Sequence, residues 1–210
     1  PQNIRKKFSV VLERTVRELR GERCLSIEDG ISSKKQIVVS RSFGERVSNL
    51  ETLKPIVSNF AVRAAEKLRS EKQKCSQVSV FVRTSPFNKN KPQHSDLRTI
   101  GLLTPTSDTR DILTAAKKGL LPIFRSGYDY AKAGIILNKF TNEHVKQYSL
   151  FKDPNDPKQN TQLMKYLDQM NSYETQIYYA SQNTKKWSPM KQNMTSPKYT
   201  TNWYELPKVN

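Results

Sequence analysis

The chain reads as an α+β domain: a four-stranded antiparallel sheet with two helices on one face, in the order β-α-β-β-α-β over about residues 35–145. Three observations predict it. In QVSVFVRT (77–84), Val78, Val80 and Val82 alternate with Ser79, Phe81 and Arg83, the period of a half-buried strand. Segments 50–72 and 108–126 repeat apolar residues at helical spacing. The strands and helices are separated by short polar stretches carrying Gly, Pro, Asn and Ser. A chain of 210 residues has room for one such domain and a smaller appendage.

Before this domain, residues 4–20 predict one helix, with Ile4, Phe8, Val11, Val16 and Leu19 at helical spacing and Gly21 at its stop. Residues 21–34 then form a connector rich in Gly, Ser and acids. A helix with an apolar face and no neighbour to cover it implies a packing partner upstream. The missing initiator Met points the same way, to a piece of a longer protein.

The domain opens with KQIVVSRSF, a β-branched strand that ends at Gly44. In the first domain helix, Leu53, Val57, Phe60, Ala64 and Leu68 form the buried stripe, and Arg63, Lys67 and Arg69 fall off it. Pro55 is expected early, where a missing N–H is tolerated. The valine strand follows, then a polar loop (85–95), then a third strand in DLRTIGLLT. Asp108 is the expected N-cap of the second helix, whose stripe is Ile112, Ala116, Leu120 and Ile123. Pro122 should kink or shorten it. YAKAGIILNKF (130–140) is the last strand.

Beyond it, KDPNDPKQN marks a linker, TQLMKYLDQM (161–170) a short helix, and the remainder is rich in Tyr and Trp. Residues 1–34, 35–146, 147–160 and 161–210 are thus expected as helix and connector, main domain, linker, and C-terminal region.

Charge narrows the function. The chain carries 36 Lys and Arg against 19 acids, a net of +17. Self-repulsion of that size is relieved by a polyanion. Residues 31–150 hold 21 basic and nine acidic side chains, so the predicted domain carries most of the attraction. Its open sheet face is where nucleic acid is expected. Ser40 and Ser42 have opposite parity to Arg41, and Thr84, Arg98 and Lys132 add small or basic groups on strands. Such a face can follow a phosphate backbone without reading bases.

Catalysis finds no candidates. No strand carries the paired carboxylates that two-metal nucleotidyl transfer requires. His94 and His144 are isolated and expected to be exposed. Cys24 and Cys75, 51 positions apart, have no metal-ligand spacing and read as reduced thiols. No glycine loop cradles phosphate, and no apolar run is long enough to span a bilayer. The residues predict no catalytic, metal or cofactor site in this chain, and a cytoplasmic location. A second constellation, Gln147-Tyr148-Ser149-Leu150-Phe151, places two large apolar side chains just before the linker. It suits either a peptide inserted into a partner's pocket or a segment tucked against the domain's flank.

Taken in order, these residues resemble the C-terminal half of Y-family translesion DNA polymerases of the bacterial polymerase V (UmuC) type. VVLERTVRELRG (10–21) is similar to the end of the thumb. SRSFGERV (40–47), AAEKLR (64–69), RTSPF (83–87), LLTPTSDTRDI (102–112) and YAKAGIIL (130–137) are similar to segments of the DNA-gripping little finger. QYSLF (147–151) resembles the sliding-clamp peptide, and MKQNMTSPKYTT (190–201) the extra C-terminal region.

The resemblance implies that Ser40, Arg41, Ser42, Arg83, Thr84, Arg98 and Lys132 lie near the phosphates of template-primer DNA. It implies that Gln147, Leu150 and Phe151 bind the clamp, with Tyr148 where the family often has Leu. It implies a UmuD-type dimer and RecA as partners in the SOS response. The metal-binding palm of such an enzyme, which would hold Mg2+, has no counterpart here, so the chain alone should add no nucleotides. The alternative is a stand-alone DNA-binding regulator derived from such a polymerase.

Overall fold

The computed structural model describes residues 2–24, 33–88, 90–145, 157–173, 177–182 and 194–206. They divide into two compact units, Pro1–Ser33 and Lys34–Asn210.

In the first unit the single helix expected over 4–20 is two: α1 (Gln2–Lys7) and α2 (Val10–Leu19). Ser9 is the cause. Its backbone is extended (φ −160°, ψ 165°) and its Oγ accepts the Leu12 N–H at 3.3 Å, so it starts a new helix. The stop at Gly21 is as expected. Gly21 takes φ +85°, donates to the Glu18 carbonyl, and lets the Glu22 N–H reach the Arg17 carbonyl, closing the last carbonyls of α2. Phe8, Val11 and Leu19 are exposed; the buried residue of α2 is Glu13, paired to Arg17 at 2.8 Å.

The second unit is the four-stranded antiparallel sheet with helices that the sequence predicts. Its elements run β1 (Ile37–Val47), α3 (Leu50–Ser70), β2 (Gln73–Thr84), β3 (Ser95–Thr106), α4 (Thr109–Ile123) and β4 (Tyr130–Asn142). The strands lie in the order β1-β4-β2-β3, so each helical crossover skips one strand and β1 and β3 are the edges. Strand β1 runs on past Gly44 to Val47, through a register shift after Ser42.

The core fills the space between sheet and helices. Val78, Val80 and Val82 are fully buried, opposite Leu137, Ile135 and Ala133 of β4. The stripes expected on α3 and α4 are all buried. Asn49 and Asp108 cap these helices, accepting the N–H groups of Glu51 and Arg110 at 2.9 and 2.8 Å. The Asn49 cap starts α3 at Leu50, so Pro55 falls just past the first turn and leaves the Glu51 carbonyl without its helical donor. Pro122 lies in the last turn of α4, which ends at Ile123. Burial pushes the Cys75 thiol up to about 12.

A fifth helix, α5 (Pro157–Ser172), belongs to the same unit. Asp168 receives two Arg69 N–H groups at 2.6 Å each, and Arg69 also donates to the Ser107 carbonyl and Thr109 Oγ1. Met164 is buried, Tyr179 packs on the core, and Gln182 donates to Asn59 Oδ1 at 3.0 Å. Arg69, expected off the buried stripe, is thus committed to an internal ion pair.

Candidate nucleic-acid interface

Strand pairing fixes which side chains share the face that the helices leave open. One row reads Ser42, Lys132, Arg83, Ser95 across β1, β4, β2 and β3. The next is Ser40, Gly134, Phe81, Leu97; the third is Val38, Ile136, Ser79, Thr99. Rows of this kind are spaced by two residues, about 6.8 Å along the strand.

The first row is electrostatically unusual. Lys132 and Arg83 are cross-strand partners, and like charges placed directly opposite destabilise a sheet. Neither forms an ion pair with a described residue. Ser42 and Ser95 flank them with hydroxyl groups. An anion lying against Lys132 and Arg83 would remove their repulsion, and Ser42 and Ser95 add a hydroxyl donor at each end of the row.

The middle rows are different in kind. Phe81 lies over Gly134: a Cβ there would meet the Phe81 ring at 2.6 and 2.7 Å. Ser79 and Thr99 spend their hydroxyls on each other at 2.8 Å. Val38 and Leu97 are half-exposed. This part of the face offers shape and apolar contact, with few hydrogen bonds for base edges.

Of the seven residues expected near phosphates, the structure brings Ser40, Ser42, Arg83 and Lys132 together on the open face. The other three lie on the helix-facing side, for one reason: parity. Arg41 is opposite Ala133, and Arg98 opposite Val80, both core positions. Both arginines are exposed because they stand on the two edge strands, where the helices do not cover them. Thr84 is opposite Tyr130 and buried; its hydroxyl donates to Gln93 Oε1 and accepts the His94 N–H, both at 3.0 Å. It organises the 85–95 loop. His94 is half-buried rather than exposed, because its Nδ1 is 3.1 Å from the Tyr130 hydroxyl and its ring packs on Tyr128. His144 is exposed as expected. Gln147, Leu150 and Phe151 lie outside the described residues.

Among the described residues no group of three His, Cys, Asp or Glu is placed to hold a metal ion. Among them too, no helix is long and apolar enough to cross a membrane.

Residues 34–150 match the impB/mucB/samB family C-terminal domain, and residues 161–209 match DUF4113, a domain of unknown function. The chain is 47% identical over 208 residues to protein UmuC of Salmonella typhimurium, covering 98% of this chain and 49% of that protein. It is also 47% identical to protein SamB of Salmonella typhimurium, over 99% of this chain and 49% of the relative. Against protein MucB of Escherichia coli the identity is 45%, over 97% and 48%. The chain therefore spans about half the length of the curated relatives it matches. Among solved structures, a chain in a complex of the beta-clamp processivity factor and the little finger domain of PolIV superposes with TM-score 0.37 and 14% identity, covering 56% of this chain and 99% of that one. The sequence resemblance to UmuC-type chains is borne out at the level of the family: this chain belongs to the impB/mucB/samB family and carries its C-terminal domain.

Proposed function

We propose that residues 34–145 grip the template-primer duplex of a translesion DNA polymerase by its sugar-phosphate backbone, without regard to sequence. The observation that carries this reading is the Lys132–Arg83 pair, two cations held side by side on an uncovered sheet face. A fold spends stability to keep such a pair only where a polyanion repays it. The neighbouring rows support indifference to sequence, because Phe81, Val38 and Leu97 present no donors or acceptors to a base edge.

The same reading gives Gln147, Leu150 and Phe151 the task of tethering the chain to a sliding clamp. Leu and Phe fill an apolar pocket while the Gln amide meets its polar rim. It gives the whole protein a place in SOS mutagenesis in the cytoplasm, with a UmuD-type dimer and RecA as partners. Catalysis belongs to the part of the relatives that this chain does not span.

The tether is tested with Leu150→Ala/Phe151→Ala in the full chain. Clamp binding should be lost, with duplex affinity changed less than about twofold, as expected for contacts that carry no phosphate neutralisation. Equal loss of both would reject a separable peptide. The grip is tested by titrating duplexes of unrelated sequence, which should bind alike and with a steep salt dependence.

A further inference from the structure

The open face does not account for Arg41, which stands with Arg63 and Lys67 on the other side of β1. An open groove of about 450 Å³ runs between β1 and α3, lined by Val39 and Phe60 and by Arg41, Arg63, Glu66 and Lys67 among others. Phe60 is nearly buried and Val39 partly so, which puts apolar groups at its floor. Arg63 and Lys67, four residues apart on α3, lie on one face of that helix and are exposed. Across the groove is the outer side of an edge strand, where alternate backbone N–H groups have no strand partner.

Glu66 is the only carboxylate among the lining residues. Its pKa is raised, by burial first and by Asp168 second, with Arg69 and Arg63 pulling the other way. Asp168 is already engaged by Arg69. None of Arg41, Arg63 and Lys67 forms an ion pair with a described residue. Three cations against the single carboxylate Glu66, together with edge-strand N–H groups, leave the groove with an excess of positive charge suited to an anion.

We infer that this groove is a second site for phosphodiester backbone, so that β1 is held by nucleic acid on both of its sides. Alternation along β1 makes this possible. Ser42 faces the open side and Arg41 the groove, while Ser40, in the open-face row, also lines the groove, so a backbone crossing the edge meets both sets. The inference takes its ligand from the proposed duplex grip, but it rests on different residues and fails separately.

The test titrates primed duplex against the full chain over a range of salt. Arg63→Gln/Lys67→Gln should weaken binding on the order of tenfold and reduce the slope of log K against log salt by about 1.8, two neutralised phosphates at about 0.9 each. Lys117→Gln/Lys118→Gln removes the same charge from an exposed face of α4 and should leave the slope unchanged. An unaltered slope in the groove variant, or an equal loss in the α4 variant, overturns the inference. Arg83→Gln/Lys132→Gln separates the two readings. If only that pair matters, the open face stands and the groove falls; if only the groove pair matters, the reverse holds. Inorganic phosphate is titrated alongside. A groove variant that loses phosphate binding and keeps duplex affinity would reassign the groove to a free anion. All three variants exchange exposed or half-exposed side chains for Gln, so matched melting temperatures confirm folding.

Discussion

The two faces of the sheet are made from alternate residues of the same strands, yet they obey opposite rules. On the helix side, Val78, Val80 and Val82 meet Leu137, Ile135 and Ala133 and exclude solvent completely. One residue along, Ser79, Phe81 and Arg83 meet Ile136, Gly134 and Lys132, and the pairing ends in a charge conflict. The first face is optimised for folding. The second gives up stability at Arg83 and Lys132, a concession for which the proposed duplex grip accounts.

The contrast breaks most visibly at adjacent residues of β4. Ile135→Ala empties a fully buried site and should cost about 2–5 kcal/mol. Gly134→Val, on the open side, drives side-chain atoms into Ser40 Cβ and the Phe81 ring and should cost about 1–3 kcal/mol. Denaturant midpoints at constant m-value check both. A Gly134→Val protein as stable as the parent would mean that Ser40 and Phe81 both give way freely and that the middle rows are not a fixed surface. A comparable effect is expected where α5 docks. Arg69→Ala removes charge-assisted hydrogen bonds to Asp168 and should cost about 1.5–3 kcal/mol. Hydrogen exchange would then rise in α5 before it rises in the sheet.

Much of this was legible from residue order. Period-two valines and period-3.6 stripes gave the β-α-β-β-α-β sequence because burial imposes those periods directly. The face of each polar strand residue was legible too, through a signal the site reading did not use. Arg41 shares parity with Ile37, Val39 and Phe43, Arg98 with Ile100 and Leu102, and Thr84 with the three valines. Each therefore belongs to the helix side. Lys132 and Arg83 as direct neighbours were not legible, because the pairing of β2 with β4 depends on register across the whole domain. Nor was the Arg69–Asp168 pair, which joins residues 99 positions apart. The break at Ser9 was missed because helical spacing continues through it, while its extended backbone is a capping choice made locally.

The smallest expected change in stability accompanies a large expected change in binding, at the charge conflict itself. The decisive measurement is a salt-dependent titration of primed duplex with the parent chain and with Arg83→Gln/Lys132→Gln. The account predicts a salt slope shallower by about 1.8 in the variant, the same affinity loss for every duplex sequence, and a melting temperature no lower than that of the parent. An unchanged slope, or a loss confined to particular sequences, would contradict it.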